Sequence, residues 1–157
     1  MHFTHYWTSD TANHQEQIAR RGERLEHVAG NLFRDRQVGP GGTIHVITFA
    51  RGTLRVLGRM VVDTVVDTKT AERLLGTTDL YEATEHCIAR KRAASLVRFD
   101  AVVPDARISA IEFADREGNT WPPARNSSGA VDPQTFRGVR RITPTTAQLL
   151  DDVLKSH

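Results

Sequence analysis

The densest runs of Val, Ile, Thr and Phe in the chain are Thr43 to Ala50 and Leu54 to Val66. β-Branched and aromatic residues fit a pleated, half-buried surface, so both runs predict strands. Arg51-Gly52 lies between them and predicts a hairpin turn. Gly58 inside the second run predicts a bulge or a close backbone approach. This antiparallel hairpin is expected at the middle of a strongly bent sheet. Phe3 to Thr8 predicts a short first strand. Ser9, Asp10 and Asn13 offer helix caps, and a polar helix is expected from about Asn13 to His27, with Ile18, Leu25 and Val28 on its apolar side. Gly30 is expected to break it, with a short helical turn over Asn31-Leu32-Phe33-Arg34. Val38-Gly39-Pro40-Gly41-Gly42 predicts a tight turn.

Beyond the hairpin the pattern turns helical. Thr68 to Gly76 predicts a short helix. Asp79 and Glu82 are spaced as a helix start, and Leu80 to Ala94 is expected to continue as a helix that buries Ala83, Cys87 and Ala94. Leu96 to Val103 and Arg107 to Phe113 predict two further strands. Asp115 to Asp132 reads as a polar loop. Thr143 as cap and Pro144 at the first helical position open a final helix carrying Ala147, Leu149, Leu150, Val153 and Leu154. Strands unevenly interspersed with helices, around one hairpin, predict an α+β fold: a small, curved, mostly antiparallel β-barrel with flanking helices.

Length is consistent with one domain over residues 1–157. A single cysteine, Cys87, excludes an internal disulfide and fits a reducing compartment. It is expected to be a buried, inert thiol. The first residues lack the basic and apolar regions of a secretory signal, and no apolar run approaches a membrane span. A cytoplasmic protein without a membrane partner is the expectation.

The formal net charge is only +2, yet three of the 21 basic residues are lysines, at 69, 91 and 155. The arginines are also unevenly placed. Arg34, Arg36, Arg51, Arg55 and Arg59 face only Asp35 in their stretch, and Arg125, Arg137, Arg140 and Arg141 face only Asp132 in theirs. Guanidinium groups suit phosphates and base edges through paired hydrogen bonds. Two basic segments in a nearly neutral chain predict a localised positive face, with DNA or RNA as partner.

The same reading weighs against other chemistry. Seven histidines raise the question of a metal, but His2 and His5 fall on opposite faces of a strand and no ligand motif accompanies them. No metal or cofactor is expected. The glycine cluster at 39–42 lacks the ending of a phosphate-binding loop. No serine-nucleophile elbow is present, and Asp151-Asp152 are expected to face solvent.

The two tryptophans remain. Trp7 ends a strand beside Thr8-Ser9-Asp10, and Trp121 sits in a polar loop before Pro122-Pro123. Aromatic faces at a site rim can stack an unstacked base, and Ser9, Asn13 and Asn31 offer polar groups for its edge. Tyr6 is expected in the core. Together, His5-Tyr6-Trp7, Gly30-Asn31-Leu32-Phe33-Arg34, Val38-Gly39-Pro40-Gly41-Gly42-Thr43, Ile44 to Phe49 and Leu54 to Val62 resemble the PUA-like superfamily and, within it, the EVE, YTH and ASCH domains. The family often opens on a Tyr-Trp strand and carries Pro-Gly-Asp before a central strand, where this chain has Pro40-Gly41-Gly42. The likeness covers residues 1–66 by motif and the remainder by element order. It implies a curved β-barrel and, as in EVE and YTH members, an aromatic cage for a modified or flipped base. By position, Trp7 and Ser9 map to the cage end of the first strand, and Asn31 and Arg34 to the segment after the first helix. Trp121 is added as a cage wall by its placement alone.

The resulting expectation is a binding module rather than an enzyme. One flipped base, plain or modified, is held by Trp7, Ser9, Asn31 and Trp121, while Arg34, Arg125, Arg137, Arg140 and Arg141 take phosphates. The alternative is an ASCH-like ribonuclease or small amide hydrolase. That would need a Lys or acidic base beside a nucleophile or water, and Lys69 lies between Thr68 and Thr70 in an expected surface turn. Sequence leaves open DNA against RNA, the base and the oligomeric state.

Overall fold

The hairpin forms where the apolar runs place it. In a computed structural model, which describes residues 1–156, β3 (Thr43–Ala50) and β4 (Thr53–Val66) pair antiparallel across the Arg51-Gly52 turn. Val46 lies opposite Gly58, but Ile47 lies opposite Val56, so Leu57 is the extra residue of a bulge. Gly58 also meets the close approach expected of it. A side chain there would come within 3.1 Å of Leu25 Cδ2 and 3.3 Å of Ser95 Oγ.

The other strands are β1 (His2–Tyr6), β2 (His27–Gly30), β5 (Glu85–Ala94), β6 (Phe113–Ala114), β7 (Thr120–Trp121) and β8 (Val139–Ile142). Among the described residues they make one sheet in the order β2-β5-β4-β3-β1-β8-β6-β7, antiparallel except for β1 against β3. The helices are α1 (Ser9–Ile18), α2 (Thr68–Leu75), a single turn α3 (Asp105–Ile108) and α4 (Pro144–Lys155). The fold is α+β with a mostly antiparallel sheet, as expected. The sheet is not closed into a barrel, because β2 and β7 remain its two edges.

Two apolar clusters flank the sheet. One gathers Phe3, Leu25, Val28, Phe33, Val46, Leu57 and Met60; the other gathers Ile47, Phe49, Val56, Phe113, Phe136 and Leu150. Cβ alternation along β3 and the bulge after Val46 divide its residues between them. Tyr6 packs partly buried against the second cluster, its hydroxyl donating to the Phe49 carbonyl at 3.2 Å.

Four expected elements differ. The helix expected to reach His27 stops at Ile18, after a start capped by Thr8, whose Oγ1 accepts from Thr11 N. Residues 19–26 are irregular, and Gly30 ends strand β2 instead of breaking a helix. Val28 and Leu25 reach the core from extended backbone: Val28 sits opposite Cys87, and Leu25 N–H donates to Ser95 O at 2.9 Å. The helix expected over Leu80–Ala94 is strand β5, which pairs with both β4 and β2. Its Ala, Arg and Lys favour helix locally, but the ladder groups of two neighbours outweigh that preference. Arg92 adopts φ 62°, where the β4–β5 register shifts. Leu96–Val103 makes only isolated bridges, Leu96 to Arg24 and Val102 to Arg55. In Arg107–Phe113, α3 and a turn precede the two-residue β6.

The two remaining helices are as expected. Asp67 caps α2 through Thr70 N at 2.9 Å, and Thr143 caps α4 through Thr146 N at 3.2 Å. Among the described residues no helix is long and apolar enough to cross a membrane.

Candidate functional site

Strand β2 is an edge, and a helix and a loop stand off from it. The result is a cavity of about 800 Å³. Its walls come from the end of β1, the α1 face carrying Thr11 and Gln15, the segment 22–31 that includes β2, and the loop 75–83 after α2. The loop is tied across to the helix: Gln15 Nε2 donates to Tyr81 Oη at 2.9 Å, and the His14 ring meets the Tyr81 ring edge-on.

Trp7 lines this cavity and packs, partly buried, on the first apolar cluster. Its backbone N–H donates to Ile47 O at 2.9 Å, which fixes the strand end from which the indole projects. Asn31 also lines it. Its Oδ1 accepts from Thr84 N and Thr84 Oγ1, which holds the side chain and leaves the amide nitrogen as a donor. Ser9 does not line the cavity. It begins α1 on the surface, and its neighbours Thr8 and Thr11 reach the wall instead. Trp121 lies elsewhere. It is 43% exposed, pairs with Phe113, and borders a separate depression of about 150 Å³ with Arg36, Arg116, Arg140 and Arg141. The expectation that both indoles wall one pocket is therefore not met, because β7 hangs from the far edge of the sheet.

Two histidines that sequence reasoning does not select stand in the wall. His5 lies two residues before Trp7 on the same strand face. Burial lowers its pKa to about 4, partly offset by hydrogen bonding to the Ala29 backbone. Its Nδ1 has no partner although the ring is only 8% exposed. His27 is stacked on His86, and its Nε2 lies 2.8 Å from His86 Nδ1. Burial first, and His86 second, lower the His27 pKa to about 4.

The protons of this pair can be assigned. Thr68 Oγ1 spends its single proton on Ala83 O at 2.8 Å. The 3.1 Å contact between Thr68 Oγ1 and His86 Nε2 must then be donated by the histidine. A neutral His86 consequently has a bare Nδ1, and His27 Nε2–H donates to it. His27, which lines the cavity, is left with Nδ1 as a bare acceptor. Only the packing of distant segments brings His27, Thr68 and His86 together, so no spacing in the sequence marks them.

Four exposed carboxylates, Glu23, Glu26, Asp79 and Glu82, also line the cavity, and Arg24 is the one Lys or Arg among the described lining residues. Its Nη1 donates to Ala94 O at 2.8 Å.

The expected phosphate-binding arginines divide. Arg137 adjoins the cavity end of β1, because Tyr6 N–H donates to Gly138 O at 3.0 Å. Arg140 donates to Arg137 O at 3.1 Å, and Arg141 reaches Gln37 Oε1 at 3.2 Å while lying 5.9 Å from the Phe3 ring centroid. Arg34 is near Asn31 in sequence, but its guanidinium donates to Val65 O at 3.1 Å. Arg125 closes its own loop on Gly129 O at 2.9 Å.

Away from the cavity, Asp151 is not simply solvent-facing, contrary to expectation. Its Oδ1 accepts from His45 Nε2 at 2.7 Å and from Arg59 Nε at 3.2 Å. Burial opposes its ionisation, but the His45 hydrogen bond and the His45 and Arg59 charges outweigh it and lower the pKa. His45 is wholly buried, so this pair clamps α4 to the sheet. Cys87 is buried on β5; burial first, then Glu85, push its thiol up to about 12, which keeps it protonated and poorly nucleophilic. Among the described residues no group of three His, Cys, Asp or Glu could hold a metal ion.

No protein-family model, curated protein or solved structure matches this chain.

Proposed function

We propose that this chain is a nucleic-acid-binding module of PUA-like type that holds a single flipped base in the cavity at the end of β1. The observation that carries the reading is the cavity itself. It is of ligand-binding size, has Trp7 and Tyr81 in its lining, and presents the amide nitrogen of Asn31. A base removed from its stack loses a few kcal/mol. An indole returns about 1–3 kcal/mol by stacking, and polar wall groups spare the base edge an unpaired burial. Arg137 adjoins this end of the sheet, and Arg140, Arg141 and the exposed Trp121 continue away from it. That gives phosphates and a neighbouring base an aromatic surface outside the cavity, with Arg36, Arg116, Arg140 and Arg141 set against Asp35 and Asp115.

The test is binding of short single-stranded oligonucleotides that carry one modified base, compared with unmodified ones. Trp7→Ala is expected to abolish discrimination between the two while leaving salt-dependent background binding in place. Retention of full discrimination by Trp7→Ala overturns the reading.

One observation favours a second reading, an ASCH-like ribonuclease or amide hydrolase. The Thr68–His86–His27 chain leaves a bare imidazole nitrogen on a cavity-lining residue, as a general base requires. RNA cleavage that is lost in His27→Ala would favour it.

A further inference from the structure

The charge and hydrogen-bonding sense of the cavity narrow what it holds, an inference that rests on the base-holding reading. Glu23, Glu26, Asp79 and Glu82 stand in its lining against the one guanidinium of Arg24, whose Nη1 donates to the Ala94 carbonyl; Glu23 Oε2 accepts from Arg20 N–H. Two imidazoles, of His5 and His27, are also in the lining. His27 Nδ1 is bare because Thr68 and His86 fix the direction of every proton in their chain. His5 Nδ1 is buried without a partner. Both imidazoles stay uncharged at neutral pH, so neither repels a cation. Trp7 and Tyr81 add ring faces whose quadrupole attracts positive charge. An anionic or acceptor-rich ligand would meet mostly unfavourable partners here, whereas the arginines for phosphate lie outside.

We propose that the cavity selects a positively charged nucleobase, one methylated on a ring nitrogen, over its neutral parent. The cation stacks on the indole, the carboxylates balance its charge, and a bare imidazole nitrogen accepts an exocyclic N–H. An electron-poor, cationic ring also stacks well against electron-rich indole, so the two contributions act on one geometry.

The full chain is titrated at neutral pH with N7-methylguanosine, guanosine, N1-methyladenosine and adenosine, followed by calorimetry. The methylated cations are expected to bind about tenfold more tightly than their parents, the size of effect a desolvated cation–ring contact gives. The double variant Glu26→Gln, Glu82→Gln, at two exposed positions, is expected to lower the ratio, and Trp7→Ala to bring it close to unity. Equal or tighter binding of the neutral parents overturns the charge selection and leaves base holding intact. Absence of saturable binding by every nucleoside overturns both.

Discussion

Single residues set the acid response of this molecule. His5 and His27 have an ordinary pKa of 6.5 and about 4 in the fold. The unfolded chain therefore binds more protons between those values, and stability rises with pH across that window. It is fully present above pH 6.5 and is lost as pH falls toward 4. Urea unfolding at a series of pH values should show this slope, and His27→Gln should flatten part of it. Asp151 acts in the same direction at lower pH, because its lowered pKa stabilises the fold above the ordinary 3.8 and that stability goes as the folded carboxyl protonates. Removing it leaves a buried imidazole unpaired. Asp151→Ala is expected to cost about 1–3 kcal/mol in thermal or denaturant unfolding. Residue roles are only partly legible in the sequence. Trp7 stands out by its strand-end position and Asn31 as a polar group that the resemblance maps to the segment after the first helix, and both line the cavity. Ser9 misses the wall because the cap is one residue earlier, at Thr8. Tyr81 and His27 carry no signal, and His5 enters only as part of the first-strand motif, since each gains its neighbours from segments far away in the chain.

Elements are legible where local pattern and tertiary partners agree. The β3–β4 hairpin, α2 and α4 each combine periodicity with caps or a turn that the local sequence specifies. Strand β5 reads as a helix because Ala93, Ala94 and the Arg90–Arg92 run favour one, while its pairing with β2 and β4 is non-local. The same holds for β2 and the segment before it, where Leu25 and Val28 have helical spacing but reach the core from extended backbone. Gly58 tests the element-level account. It lies beside the bulge, under Leu25 and Ser95. Gly58→Val must push these aside, and overpacking of this kind costs about 1–3 kcal/mol. An unfolding midpoint unchanged in Gly58→Val would show that the approach of 22–31 to β4 is loose, and with it one wall of the cavity.

At the scale of the whole molecule, the two depressions differ in charge. Among the described residues, four carboxylates and one arginine line the cavity, and four arginines with Asp35 and Asp115 line the depression beside β8. A polyanion bound on the basic side releases counterions, so affinity for any oligonucleotide should fall steeply as salt rises. The triple variant Arg137→Ala, Arg140→Ala, Arg141→Ala should weaken all sequences alike and reduce the salt slope by about 0.7 for each single-strand phosphate that is no longer neutralised. Neither effect identifies the cavity as the place where a base sits. The most direct measurement is a heteronuclear NMR titration of the labelled chain with a short oligonucleotide carrying one N-methylated, unpaired base. The Trp7 indole N–H and the Asn31 side-chain amide should shift saturably and together, with His5 and His27 ring resonances following. Shifts confined to Trp121 and the β8 arginines, with Trp7 and Asn31 unmoved at saturation, would contradict the base-holding cavity.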